Sequence, residues 1–312
     1  MDASAFTAIL DVSAPVLLLI AVGTFLRKRR IIDDSFISSG SRFVFMVGMP
    51  TLLFFSMLGA SPGDVMSWQL PVYFFVGIMV TFGFAWWASG RIHLPENERG
   101  HFIQMAFRGN TGVFSLALVV NMFGDEGVVI GGVLASITSV TFNVLAETAF
   151  ARFQDDRKLD IKVLLKTIAT NPMIVGVAAG ILVNLIGLPV PSQVVSAGKY
   201  LGGVTLPLAL LCIGGSLATS RFSMSKQTTF AMGIKVFISP IVLTIGASLL
   251  GFSQHEQLYL FLFFGAPIAA SAYVVSVAHG SNGKETANAI ATSTLIGSAV
   301  LVLIGPPLLS IL

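Results

Sequence analysis

The sequence predicts an all-α membrane protein: ten transmembrane helices arranged as two inverted five-helix repeats, with helices 4 and 9 broken where they cross. Three observations predict this class. Of 312 residues, 54% are hydrophobic and only 11% charged, against about 25% charged in a soluble domain. Shifted by 157 residues the chain matches itself without a gap, so that Pro15 falls on Pro172, Gly23 on Gly180, Ser39 on Ser196 and Pro50 on Pro207. Finally, the basic residues gather on alternate loops.

A stretch of roughly 20 apolar residues crosses a bilayer. The first span, about 6–26, ends at the basic run Arg27 to Arg30. No Lys or Arg precedes it, so it does not read as a cleaved signal peptide. The second, 36–59, stops at the turn-forming joint Ser61-Pro62-Gly63-Asp64, and the third, 70–90, at Arg91. The fourth, 99–122, is interrupted by Arg108-Gly109-Asn110-Thr111-Gly112, a run that favours unwinding. The fifth covers 127–150. The sixth, 164–186, contains Asn171-Pro172, and the seventh, 196–219, contains Pro207. The eighth, 227–250, carries Lys235. The ninth, 255–280, holds Pro267, which removes a donor and pushes Ala266 out of helical geometry. The tenth, 285–309, follows the joint Ser281-Asn282-Gly283-Lys284. The shift carries the first five spans onto the second five, which makes 1–156 one repeat and 157–312 the other. It also places Asn110 on Pro267, so the two interruptions are equivalent.

Loops after odd-numbered spans carry Arg27 to Arg30, Arg91, Arg99, Arg152, Arg157, Lys158, Lys162, Arg221, Lys226 and Lys284. Loops after even-numbered spans carry essentially none apart from Lys199. Positive charge stays inside, so the odd loops are cytoplasmic and both termini face outward across the inner (plasma) membrane. Five is odd, so the second repeat enters upside down. The net charge of +3 lies in these short loops, which argues for topology rather than nucleic-acid binding.

Composition excludes other classes. Cys212 is the only cysteine, which rules out an intrachain disulfide and a cysteine metal cluster. His93, His101, His255 and His279 sit near span ends without metal-ligand spacing. No nucleophile–base pair or phosphate loop appears. No metal, no cofactor and no enzymatic activity is expected.

If the broken spans cross, each half-helix starting there points roughly +0.5 of dipole charge at one cavity, which favours an anion. Arg108 costs roughly 2.5–3.5 kcal/mol within a membrane. It either neutralises a substrate carboxylate, snorkels to the cytoplasmic interface, or pairs with an acid in a purely structural role. Asn110 caps the following half-helix or touches substrate. Thr111 and Ser115, one turn apart, share a face, and Ser271 and Tyr273 are their counterparts on span nine. Lys235 is a second anion-binding charge, a fixed cation in place of sodium, a snorkelling side chain or a partner of Glu147. Glu147 is a solvated or paired acid, or a proton-coupling group. Asn143, with Ser136 and Thr141, and Asn288, Thr292 and Ser293 of span ten, line the middle of the bundle. They join helices or offer neutral oxygens to sodium.

The chain resembles the auxin efflux carrier family, whose bacterial members are often called malate or malonate permeases. The resemblance rests on Pro15 through Arg30, Asn110-Thr111-Gly112, Asn171-Pro172, Leu206 to Leu210 with Gly215-Ser216-Leu217, and Ala266-Pro267 followed by Ala272-Tyr273-Val274. It implies a relative of the bile-acid sodium symporter fold. It further implies a scaffold of spans 1, 2, 6 and 7, a transport domain of spans 3–5 and 8–10, a substrate site marked by Asn110 and Pro267, and a homodimer. The long hydrophilic loop of plant members is missing, and Arg108 stands where a small or uncharged residue is expected. The function this reading predicts is a secondary transporter of a small organic anion, a carboxylate or auxin-like acid, working by elevator-type alternating access. A sodium-coupled bile-acid-type symporter is the first rival. A channel or sensor without coupled transport is the second.

Overall fold

The computed structural model describes residues 3–58, 66–92, 94–153, 166, 169–218, 224–281 and 283–303. The joint Ser61-Pro62-Gly63-Asp64, His93, Arg157, Lys158, Lys162, Arg221, Asn282 and the end of the tenth span lie outside the described residues.

Among the described residues all regular structure is helical, apart from one antiparallel bridge between Gly109 and Ile268. In chain order the helices are α1 (Ala3–Lys28), α2 (Asp34–Phe43), α3 (Met49–Met57), α4 (Gln69–Arg91), α5 (Glu96–Phe107), α6 (Leu116–Phe153), α7 (Pro172–Leu185), α8 (Ser192–Leu217), α9 (Lys226–Gly233), α10 (Ser239–Leu249), α11 (Gln254–Phe264), α12 (Ser271–Ala278) and α13 (Lys284–Leu303). Wide π-turns, Val44–Gly48 and Ile234–Ile238, join α2 to α3 and α9 to α10. Each precedes a proline, Pro50 or Pro240, whose missing donor and bulky ring disrupt the regular ladder four residues back.

Local chemistry sets several starts. The Asp33 carboxylate accepts from the Phe36 N–H at 2.8 Å to cap α2. The Asn171 side chain accepts from Met173 N at 3.1 Å, and Pro172 opens α7 where its lost donor is harmless. Ser253 and Glu256 close a reciprocal capping box on α11.

Ten spans are expected from hydropathy. Among the described residues, five stretches are long and apolar enough to cross a membrane: Asp34–Met57, Gln69–Arg91, Thr111–Phe153, Ser192–Leu217 and Lys226–Leu249. Two of the expected spans are interrupted, at 108–110 and 265–270, and each interruption leaves a first half of only 12 or 11 residues. The 43-residue stretch Thr111–Phe153 covers the second half of span four and all of span five. It folds back at Gly124, whose φ of 56° needs a residue without a side chain.

Small residues set the helix spacing. Gly23 of α1 abuts the Leu211 backbone of α8, and Gly214 of α8 abuts Ile20 of α1. Gly176 of α7 leaves room for the Pro50 carbonyl of α3, which a Cβ would approach to 2.6 Å. Close backbone approach of this kind gives membrane helices their packing energy, because lipid offers no hydrophobic drive. One packed group thus contains α1, α2, α3, α7 and α8, and α4 to α6 with α9 to α13 pack beside it.

Candidate functional site

The two interruptions meet. Asn110 donates its N–H to the Pro267 carbonyl at 2.7 Å, and Ala269 donates to the Arg108 carbonyl at 3.1 Å. Ile268 donates to the Ser293 hydroxyl at 3.0 Å. Gln104 reaches from α5 to the Ala272 carbonyl and the Ser276 hydroxyl, at 3.0 and 3.1 Å. Backbone groups freed from helices in an apolar interior must find such partners. Here each broken segment serves as the other's partner.

Arg108 extends from this crossing and is 5% exposed. Its Nε donates to Ser271 Oγ at 3.1 Å, one terminal nitrogen to Asn143 Oδ1 at 2.7 Å, and the other to the Phe142 carbonyl at 3.5 Å. All three acceptors are neutral. The ion pairs among the described residues do not include Arg108. A guanidinium has five N–H groups, so two remain for a ligand. Arg108 thus does not snorkel and makes no direct ion pair among the described residues, with Glu147 the acid that acts on it from a distance.

A cavity of about 490 Å³ opens beside it, lined by Arg108, Asn110, Thr111, Asn143 and Ser271 on one side. Ser41, Met49, Ala209 and Ile213, from α2, α3 and α8, line the other. The Asn110 side chain makes no cap hydrogen bond to the segment it precedes, so the capping alternative is not what the structure adopts. Thr111 shares a 2.6 Å hydrogen bond with Thr138. Of the predicted site residues, these five come together.

The others go elsewhere. Ser115 is fully buried and donates to the Leu262 carbonyl at 2.7 Å, so it seals a helix seam away from the cavity. Pro267 contributes its carbonyl to the crossing, and its ring does not line the cavity. Tyr273 lines a second cavity of about 600 Å³, with Asp34, Cys212 and Lys284. The two cavities share Ser41, Asn110, Ile213 and Ala270. Glu147 faces His279 at 3.5 Å, not Lys235. Lys235 is buried behind the crossing: its ammonium donates to the Phe264 carbonyl, and a Cβ on Gly109 would meet its Nζ at 2.9 Å. The space around it, about 10 Å³, is too small for a ligand. Neither the snorkelling nor the Glu147 alternative for Lys235 holds. Ser136 and Thr141 donate to carbonyls of their own helix. Sequence reasoning missed Ser41, Thr138 and Phe142. Thr138 lies on the same span as the predicted Asn143, within two turns of it, and bonds the predicted Thr111; polar spacing along span five is the signal that could have found it. Ser41 sits on a remote helix and gives no such signal.

A family model described as membrane transport protein matches residues 8–304. The chain is also similar to an uncharacterized transporter of Methanocaldococcus jannaschii, with 25% identity over 309 residues, covering 95% of this chain and 97% of that protein. An uncharacterized transporter of Methanothermobacter thermautotrophicus is 23% identical over 286 residues, covering 90% of this chain and 92% of its own.

Proposed function

The chain belongs to the membrane transport protein family, that of the auxin efflux carriers, and from that premise we propose that it is a secondary transporter of a small organic anion, most simply a monocarboxylate, bound at the crossing of the two broken helices. The observation that carries this reading is Arg108. A buried cation whose direct acceptors are all neutral has no carboxylate in contact, Glu147 acting on it only from a distance, and a substrate carboxylate supplies that contact in bidentate geometry. The segment from Thr111 and the start of α12 at Ser271 add their dipole ends to the same cavity. Lys235 is shut behind Gly109, so the cavity presents one formal charge rather than two. That favours a monoanion over a dianion.

The inverted repeat is supported by reciprocal contacts. Gly23 abuts Leu211, and Gly180 abuts Phe54, whose carbonyl oxygen a Cβ on Gly180 would meet at 2.6 Å. A shift of 157 converts Gly23 into Gly180 and Phe54 into Leu211, so each contact is the image of the other under a two-fold exchange. Asn110 and Pro267 are mutual equivalents and bond directly to each other, as expected beside the axis. Ten spans in two inverted repeats, 1–156 and 157–312, then place the site at the membrane centre.

Alternating access follows from the two walls of the cavity. α1 to α3, α7 and α8 form the scaffold, and the remaining helices form the moving transport domain. The anion crosses bound to Arg108, which lowers the cost of moving its charge through lipid. Exposed apolar side chains on α7 and α8, such as Leu182, Leu185 and Val204, fit a homodimer formed through the scaffold. Both termini face outward from the inner membrane. Lys235 acts as a fixed cation behind the crossing, so transport needs no sodium.

The test is a thermal-shift screen of purified protein against monocarboxylates, dicarboxylates and indole acids, followed by uptake in proteoliposomes. A monocarboxylate is expected to raise the unfolding midpoint. Arg108→Gln is expected to weaken its binding roughly 10- to 100-fold, the equivalent of losing a charged hydrogen bond. Unchanged binding in Arg108→Gln would sink the proposal.

A further inference from the structure

A third cavity, about 530 Å³, lies on the flank of the molecule, away from the crossing. It follows α1 from Leu17 to Lys28 and is closed by Leu217 at the end of α8 and by Leu295 and Ala299 of α13. At 1.5 Å per residue the groove is about 16 Å long. Leu17 and Leu295 are 36% and 49% exposed, so the groove is open on its side.

Its wall is apolar in effect even where it carries hydroxyls. Thr24 donates to the Gly214 carbonyl at 2.9 Å, Thr294 to Ile290 at 2.7 Å, and Ser298 to Thr294 at 2.5 Å. Each hydroxyl proton is spent on helix backbone, which leaves no hydroxyl donor for an anionic group along the groove. One charged residue, Lys28, lines it, at the end where the basic run begins. The neighbouring cations are engaged: Arg27 pairs with Asp34 at 2.6 Å, and Arg29 lies over the Phe25 ring. Lys28 takes no part in the ion pairs among the described residues.

We propose that this groove binds one acyl chain of an anionic phospholipid, with its phosphate on Lys28. A long apolar slot capped by one cation matches an amphiphile with one anionic head. The positive run at the end of α1 lies at the leaflet where such lipids concentrate. The groove runs between α13 on one side and α1 with α8 on the other, and α1 and α13 touch beside it. If the transport reading holds, the lipid sits in the seam between moving and fixed parts and slows their motion. Binding itself does not depend on that reading.

The experiment uses delipidated, purified full-length protein in detergent. Phosphatidylglycerol and phosphatidylcholine with identical acyl chains are titrated, and bound lipid is counted by native mass spectrometry, with no transport assay involved. Phosphatidylglycerol is expected to bind about fivefold tighter, the effect of one basic residue at a charged headgroup. Lys28→Gln removes that preference, whereas Arg30→Gln, outside the groove, keeps it. Ala299→Phe fills the groove and lowers retention of both lipids. Should that variant misfold, Lys28→Gln decides, because Lys28 is exposed. Equal binding of the two lipids, or a preference that survives Lys28→Gln, overturns the proposal. So does displacement of phosphatidylglycerol by equimolar oleate, which would make the occupant a free fatty acid.

Discussion

At the residue scale the two buried cations have different environments and therefore different roles. Arg108 faces the 490 Å³ cavity, and Lys235 is enclosed on the far side of Gly109. Removing each should separate binding from folding. Lys235→Met leaves the Phe264 carbonyl without its buried donor, at a cost of about 1–3 kcal/mol. Its thermal midpoint should fall while the dissociation constant for a bound monocarboxylate stays within about twofold, since the residue touches no ligand. Arg108→Gln should lose the ligand, whatever its thermal midpoint does, because it removes the charge as well as donors to Ser271, Phe142 and Asn143. Calorimetric binding and thermal unfolding on the same samples check the pair. Loss of ligand affinity in Lys235→Met would return it to the binding site.

At the element scale, glycines decide how closely the helices approach. Gly23 on α1 has the Leu211 backbone where a Cβ would go, whereas Gly83 on α4 has nothing within 4 Å. Gly23→Ala must therefore push α1 away from α8, at roughly 1–3 kcal/mol. Gly83→Ala should be neutral or stabilising by about 0.5–1 kcal/mol, since it removes only backbone freedom from a helix interior. Thermal unfolding in one detergent compares the two, and similar midpoints would refute the close-packing account. The crossing itself is an element-scale product. Gly, Asn and Pro are poor helix formers, and their freed backbone groups are satisfied only because the partner segment is equally broken.

At the scale of the whole molecule, the candidate site lies between two packed groups, and on the proposed transport reading these are the walls that separate. If Lys235 serves as the proposed fixed cation, proteoliposome uptake is expected to proceed equally with sodium or choline outside; among the described residues no carboxylate lines the crossing cavity. Uptake that requires sodium would favour the symporter rival. The same two-group architecture explains why the candidate site was only half legible. Arg108, Asn110, Thr111, Asn143 and Ser271 were readable because a charged or helix-breaking residue inside an apolar span stands out against hydropathy. Ser41, Met49 and Ala209 were not, since a serine, methionine or alanine is ordinary in any span. They become site residues only through packing. Ser115 and Tyr273 were expected at the site for their spacing from it. Rotation about the helix turned the first toward Leu262, and the second cavity took the other.

The sequence alone determined that the chain is helical, that it belongs in a membrane, and where its helices break. Those properties follow from hydropathy, composition and the geometry of Gly and Pro, which act over a few residues. Only the tertiary structure decided which polar groups share a cavity, that Arg108 hydrogen-bonds to neutral acceptors and makes no ion pair among the described residues, and that Lys235 lies behind the backbone rather than in front of it. These depend on how helices distant in sequence are rotated and spaced against each other. That spacing is set by side-chain volume and backbone approach, which periodicity along the chain does not encode.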